Sequence, residues 1–217
     1  MLSTKAADRR RLVFIGAGHA HLYSLQRLDE FAGRNVSVTV VGTNPFWYSG
    51  MGPGLLSGQY GYRDASVDVQ AMVERQGARF IDSKAAELDG SDQILTTQEG
   101  EEISYDLLSL NIGSEVRLDS AMELSGNVFA VKPVSRFLEL RRELLRRGPE
   151  KALRVGVVGG GAAGCEAAAA LDAFAHHNGY RIDIRVFTAD ERLLPEWPDR
   201  AASKMERWCR RRDISVA

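Results

Sequence analysis

Two cysteines in 217 residues, Cys165 and Cys209, are too few for a disulfide framework and form no C-x-x-C pair. A cystine-stapled secreted fold is thereby excluded, and the usage suits a reducing cytoplasm. Charge of one sign is also missing: 28 Lys and Arg stand against 29 Asp and Glu, a formal net charge of -1 at pH 7. No global field recruits nucleic acid or anionic lipid, so no nucleic-acid partner is expected and a charged ligand must be met locally. Long apolar runs are absent as well. Nothing approaches the roughly 18 apolar residues of a membrane span, and the run at 12–17 is too short for a signal-peptide core and has no cleavage site after it. Aromatic residues make up 8% and prolines number 6, whereas glycines number 21 and 44% of the chain is hydrophobic. That is material for one large domain or two small ones, and the informative question is where the glycines fall.

The first cluster closes an apolar run: "LVFIGAGHAH", residues 12–21. Gly16 and Gly18 fit the first two positions of G-x-G-x-x-G, the turn whose glycines let the backbone approach a pyrophosphate, but His21 stands where the third glycine belongs. Alone this is a weak match. His19 and His21 point to different sides of a helix start, which argues against a metal pair, and no metal site is expected. His19 lies in the turn, on the phosphate side; His21 reads as a packed helix residue with a satisfied ring. Leu22, Leu25, Leu28 and Phe31 then recur at helical spacing until Gly33 offers a stop, and "VSVTVVG" at 36–42 reads as a parallel strand buried on both faces. The opening is a βαβ unit. "TNPFWYSGMGPGLLSGQYG", 43–61, reads as too glycine-rich for a regular element and too apolar for a plain loop.

From Ala78 the pattern predicts a β-meander: 78–89, a turn at Asp89-Gly90, "QILTT", a turn at Glu99-Gly100, and 103–113. "SRFLELRRELLRRGP" predicts an amphipathic helix stopped by Gly148-Pro149, its arginines a solvated face. The plan then restarts. "ALRVGVVGGGAAGCEAAAAL" gives strand, turn and alanine-rich helix, with Gly159, Gly161 and Gly164 filling all three glycine positions, and "RIDIRVFTAD" supplies the returning strand. This second turn is a strong match. The acidic residue that commonly ends the returning strand and holds a ribose is missing from both units: Thr43-Asn44 stand there in the first and Thr188 in the second, where Asp190 and Glu191 follow too late for that position, which leaves NADH against NADPH open. The repeat predicts two cofactor modules, 1–148 and 149–217, of α/β class: two Rossmann-like three-layer domains with a β-meander. Residues 213–217 read as the start of a further strand, so the second module reads as cut off.

These motifs in this order resemble the FAD-dependent pyridine nucleotide-disulfide oxidoreductases with two dinucleotide-binding domains, which include type II NADH dehydrogenases and sulfide:quinone oxidoreductases. The likeness runs from Leu12 to the last residue. It is closer to the branch found fused to selenide, water dikinase, whose "GHAH" and "YSGM-x-PG" segments stand here at 18–21 and 48–54. The resemblance implies that Gly16, Ala17, Gly18, His19 and Ala20 meet the FAD pyrophosphate and that Thr43 and Asn44 lie near its ribose. Ala85 would meet the adenine, and Tyr48, Ser49, Gly50 and Met51 the isoalloxazine. Gly113, in "YDLLSLNIGS", would close over the cofactor, although Asn111 and Ile112 depart from the family's Ala-Thr. Gly159, Gly160, Gly161, Ala162, Ala163, Gly164 and Thr188 would hold NAD(P)H, with Glu166 at the family's glutamate near the nicotinamide.

The resemblance further implies an NAD(P)H oxidoreductase, or the N-terminal part of one, that passes hydride to FAD and on to a quinone-like acceptor. It would be cytoplasmic, or peripheral to the inner membrane face through a C-terminal part absent from these 217 residues. The family's second FAD segment is expected beyond Ala217, so this stretch alone is expected to hold flavin weakly and, with open sheet edges, to self-associate. A sulfide:quinone-type enzyme and a non-catalytic redox-sensing module are the rival readings. The first calls for flavin-adjacent cysteines, which the sequence does not offer; Cys165 reads as a packing residue, and Cys209 as part of a helix face with Met205 and Trp208. The second would bind nucleotide without turnover.

Overall fold

The computed structural model describes residues 9–116 and 127–217. They form two compact units, one of residues up to Trp47 with Ser66–Ser114, the other of Tyr48–Ala65 with Glu115–Ala217.

The first unit is built on a fully parallel four-stranded sheet of β1 (Arg10–Ile15), β2 (Val36–Gly42), β5 (Arg79–Asp82) and β9 (Leu107–Leu110), in the order β5-β2-β1-β9. Its central strands, β1 and β2, are apolar on both faces because both are covered. Phe14, Val38 and Val40 share one core with Leu25, Leu28, Val69 and Val73 of the helices. The intervening Val13, Ile15 and Val41 share another with Leu95, Ile103 and Tyr105. The alternation follows from the two-residue period of a strand, and the layers are helix, sheet and meander. The meander proper is β6 (Ala85–Asp89), β7 (Ile94–Thr97) and β8 (Glu102–Ser104), antiparallel throughout.

Two sequence expectations are corrected here. The run 78–89 divides at Ser83-Lys84 into β5 of the parallel sheet and β6 of the meander, and 103–113 divides at Tyr105-Asp106 into β8 and β9. Arg11 secures the second division: its backbone N–H (2.6 Å) and guanidinium (2.8 Å) both donate to Asp106, whose carboxyl is lowered to about 2 by those bonds. The helix after Gly18 is also two helices, α1 (His19–Leu25) and α2 (Leu28–Ala32). Gln76, just beyond α4 (Val69–Glu74), explains the break. Its amide donates to the Leu25 carbonyl (2.7 Å), and its carbonyl accepts from the Leu28 N–H (2.7 Å), so one side chain satisfies both helix ends. Between β2 and α4 lies a two-stranded ribbon, β3 (Phe46–Trp47) with β4 (Ser66–Val67).

The second unit carries a parallel sheet ordered β10-β11-β12, from β10 (Leu153–Val158), β11 (Ile182–Phe187) and β12 (Ser215–Val216). The strand anticipated at 213–217 is therefore present. Helix α6 (Ala162–Asn178) buries Cys165, Ala168, Leu171 and Phe174 in a core with Val157, Ile184, Val186 and Cys209 of α7 (Asp199–Arg211). Alanine suits both the helix and its close approach to the strands. Gly179 stops it in the left-handed conformation at φ +70°, donating back to Ala175.

The glycine-rich stretch supplies the third correction. Beyond a single turn at Ser49–Met51 it forms a short helix, α3 (Gly52–Ser57), with Pro53 in its first turn and Leu55 and Leu56 fully buried. Its glycines are thin spacers: a Cβ on Gly52 would stand 2.8 Å from the ring of Phe137, which lies on α5 (Ser135–Arg147). The arginines of α5 mostly pair with Glu139 and Glu143 on its own surface; Arg141 departs from the solvated face and reaches the Leu55 carbonyl.

Candidate functional site

Each unit presents a glycine turn at the carboxyl end of its first parallel strand, where open α/β sheets bind ligands. In the second unit the three glycines do three different things. Gly159 turns the chain at φ +115°, a conformation disfavoured for residues with a Cβ. Gly161 begins α6 in an extended conformation, with nothing within 4 Å of where a Cβ would point. Gly164 faces inward: a Cβ there would come closer than 3.0 Å to the Gly159 carbonyl oxygen, so only glycine lets α6 lie this near the strand.

The open side of Gly161 gives onto a cavity of about 380 Å³ lined by residues 159–162, by Thr188, Ala189 and Asp190, and by Pro195, Glu196 and Trp197. The loop that carries the last three is tied to the turn, since the Leu194 N–H donates to the Gly160 carbonyl at 2.7 Å. Arg192 holds the loop from beneath through the carbonyls of Pro195 (3.0 Å) and Trp197 (2.9 Å). Thr188 accepts from the Asp190 N–H at 3.2 Å, folding the carboxylate stretch back toward the turn. Backbone N–H groups at the start of a seventeen-residue helix, an open glycine and a walled cavity are the elements of a diphosphate cradle. Of the sequence candidates, Gly159, Gly160, Gly161, Ala162 and Thr188 line the cavity, while Ala163, Gly164 and Glu166 do not; Glu166 is exposed on α6. Asp190, which follows the position of the ribose-holding acid, joins them; Pro195, Glu196 and Trp197 are additions that no fingerprint named, although two prolines around "EW" mark a shaped loop.

The first turn is built differently. Gly16 adopts φ +80°, and its N–H donates to Val41 at 2.7 Å. A Cβ on Gly16 would run into the backbone of Asn111, and a Cβ on Gly18 would run into the Asn111 carboxamide. Asn111, anchored by its N–H on Ile15 (2.8 Å), thus stands against the turn where the resembled family has alanine. His19 is exposed, its ring edge-on to Phe46 at 5.2 Å. Ala20 is exposed beside it, and Ala17 is buried. His21 is only 5% exposed, with Nδ1 2.6 Å from the Gly16 carbonyl and Nε2 2.9 Å from the Ser109 hydroxyl.

Thr43 is exposed at the end of β2. Asn44 is engaged internally: its carbonyl accepts from Val69 (2.9 Å) and its amide donates to Asp68 (3.2 Å). Ala85 opens β6 on the surface, and Gly113, at φ +77°, has nothing within 4 Å of a Cβ position. Tyr48, Ser49, Gly50 and Met51 belong to the second unit, with Ser49 and Gly50 exposed. Among the described residues no group of His, Cys, Asp and Glu is placed to hold a metal ion, and no helix is long and apolar enough to cross a membrane.

Residues 10–217 match the family described as pyridine nucleotide-disulphide oxidoreductase. The chain belongs to this family. It is 21% identical over 141 residues to a type II NADH:quinone oxidoreductase of Staphylococcus haemolyticus, an alignment covering 64% of this chain and 35% of the relative. Among solved structures it is similar to NDH2 from Plasmodium falciparum, with TM-score 0.81 at 18% identity over 96% of this chain and 47% of that one. It is likewise similar to the sulfide:quinone oxidoreductase from Aquifex aeolicus, with TM-score 0.72 at 20% identity over 96% and 50%. The chain thus spans about a third of the curated relative and about half of the solved ones. At these identities the structural likeness establishes the Rossmann-like α/β fold.

Proposed function

We propose that this chain carries the two dinucleotide turns of an FAD-dependent NAD(P)H oxidoreductase that delivers electrons to a quinone-like acceptor. The second turn carries the reading: an open Gly161 above a walled cavity at the start of α6, with Gly164 holding the helix against β10, fits a dinucleotide diphosphate. Residues 159–162 would hold the nicotinamide nucleotide's diphosphate, Thr188 would stand near its ribose, and exposed Glu166 would face the nicotinamide side. Gly16, Ala17, Gly18 and Gly113 would serve the flavin in the first module; the repeat in the sequence sets its boundary with the second near Gly148, whereas residues 48–65 and 115–148 cluster with the second unit. A bound flavin supplies the capacity to accept hydride and release electrons singly or in pairs. The protein's part is to align the two ring systems and exclude water.

The cavity lining supports NADH over NADPH. It contains the carboxylates of Asp190 and Glu196 and no lysine or arginine, and Arg192 is occupied by loop carbonyls. The names of the curated relatives support NADH and a quinone, and a peripheral place at the membrane would suit such an acceptor. Sulfide chemistry carried by thiols of this chain is not favoured. Cys165 and Cys209 are buried in the second unit's core, and burial pushes the Cys165 thiol up to about 11. The test is a visible spectrum of the purified protein before and after NADH: loss of the flavin band supports turnover, and bound nucleotide without reduction supports a sensor.

A further inference from the structure

His21 occupies the position of the missing third glycine, five residues after Gly16, as Gly164 lies five after Gly159. The two modules solve the same problem in opposite ways. In the second, a residue without a side chain is pressed against the Gly159 carbonyl. In the first, the corresponding Gly16 carbonyl meets an imidazole nitrogen at 2.6 Å. A carbonyl only accepts, so Nδ1 bears the proton; in the neutral ring Nε2 is then the acceptor, and the Ser109 hydroxyl donates to it at 2.9 Å. The edge of the buried ring is fixed against Phe14, centroids 4.9 Å apart at 75°. The chain Ser109–His21–Gly16 therefore links β9 to the glycine turn through β1's helix-facing side.

We propose that His21 is a positioning residue for the first dinucleotide turn, its imidazole pinning the Gly16 carbonyl so that the turn keeps one shape for its ligand. The Gly16 carbonyl and the Ala17 N–H belong to one peptide unit. A hydrogen bond accepted at the oxygen polarises that unit and makes the N–H a stronger donor, and the two-bond chain from Ser109 adds to the effect. Gly16 at φ +80° needs such a restraint, because glycine enters that conformation and leaves it with little penalty. The inference rests on the reading of the first turn as the flavin diphosphate site.

The test uses the full-length protein and three variants, His21→Ala, His21→Asn and Ser109→Ala. Asparagine places an amide N–H near the position of Nδ1 and so keeps the bond to Gly16. Flavin affinity, read by fluorescence quenching, is expected to fall about tenfold in His21→Ala, the equivalent of about 1.4 kcal/mol, and to stay within about threefold of wild type in His21→Asn. Ser109→Ala is expected between them, and NADH affinity at the second turn is expected to stay unchanged in all three. Nitrogen NMR of the flavin-free protein supplies a readout that needs no cofactor and no variant. It is expected to show the His21 proton on Nδ1; a proton on Nε2 alone overturns the proposal. Unaltered flavin affinity in His21→Ala overturns it too, and if that variant does not fold, unaltered affinity in Ser109→Ala does the same. A wild-type protein that binds NADH but no flavin overturns the reading of the turn along with it, and is distinguished by failing before any substitution is made.

Discussion

Gly161 and Gly164 lie three residues apart, and alanine at each is expected to fail in a different way. At Gly164 the new methyl would come closer than 3.0 Å to the Gly159 carbonyl oxygen, which belongs to the backbone and cannot swing aside. Relief requires the start of α6 to lift off β10 by about 1 Å, a strain of the size of overpacking, about 1–3 kcal/mol. At the middle of that range, about 2 kcal/mol, and at about 2–4 °C per kcal/mol for a protein of this size, Gly164→Ala is expected to lower the melting temperature by about 4–8 °C. At Gly161 the backbone is at φ -74° and extended, and a methyl would meet nothing within 4 Å. Alanine lowers unfolded-state entropy and is a poorer helix cap than glycine, two contributions of opposite sign and each within about 1 kcal/mol, so Gly161→Ala is expected to melt within about 3 °C of wild type. Its methyl nevertheless stands where the diphosphate would approach, and NADH affinity is expected to drop at least about tenfold, about 1.4 kcal/mol. Differential scanning calorimetry and NADH titration by tryptophan fluorescence measure both quantities. If Gly161→Ala melts as low as Gly164→Ala and binds NADH as wild type does, the assignment of the open face to the nucleotide is wrong.

NADH is expected to be preferred over NADPH several-fold in kcat/KM, because the exposed carboxylates of Asp190 and Glu196 on the cavity wall would repel a 2′-phosphate while salt screens part of that repulsion; Asp190→Asn with Glu196→Gln should erase most of the preference, and an unchanged ratio would place the ribose elsewhere. Replacing both cysteines by serine is expected to leave NADH-driven flavin reduction within a few-fold of wild type, because neither buried thiol is positioned for chemistry; a loss beyond about two orders of magnitude, about 2.7 kcal/mol of barrier, in a folded variant would contradict this. The folded Cys165 thiol keeps its proton up to about 11 while the unfolded one loses it at the ordinary thiol value, so the folded state binds more protons in that window. Stability is therefore expected to fall as pH rises through it, less steeply in Cys165→Ala, as urea midpoints at stepped pH would record. The 217 residues on their own are expected to self-associate, since Val158 is 88% exposed and Phe187 43% exposed on strands of the second sheet; light scattering that shows a monomer at high concentration would refute this.

The parallel strands, the two glycine turns and the alanine-rich helix were legible because each rests on short-range rules: apolar runs, glycines at fixed spacing, a glycine stop. His21 as a packed residue with a satisfied ring was legible too, since a histidine two residues from another on a helix start has one inward direction. What escaped were features made by residues distant in sequence. Gln76 breaks the first helix from fifty residues away, and no local pattern between Leu25 and Leu28 announces it. Asn111 fills the space beside Gly18, so that glycine makes room for a side chain of the protein itself as well as for any ligand. In the stretch 43–61 the glycine content suggests a break in regular structure, whereas at Gly52 and Gly54 glycine admits the rings of Phe137 and Tyr60 against a short helix. The walls of the second cavity come from the loop at 195–197, which becomes part of the site through one backbone hydrogen bond, Leu194 to Gly160.

If the two turns serve two dinucleotides that exchange electrons, NADH must reduce the bound flavin. An anaerobic titration of the purified full-length protein with NADH, followed through the visible flavin spectrum, measures this. Flavin is expected to be retained near one equivalent per chain and bleached by one equivalent of NADH, with colour restored by a quinone. A protein that binds NADH yet carries no flavin, or carries flavin that NADH leaves oxidised, would contradict it.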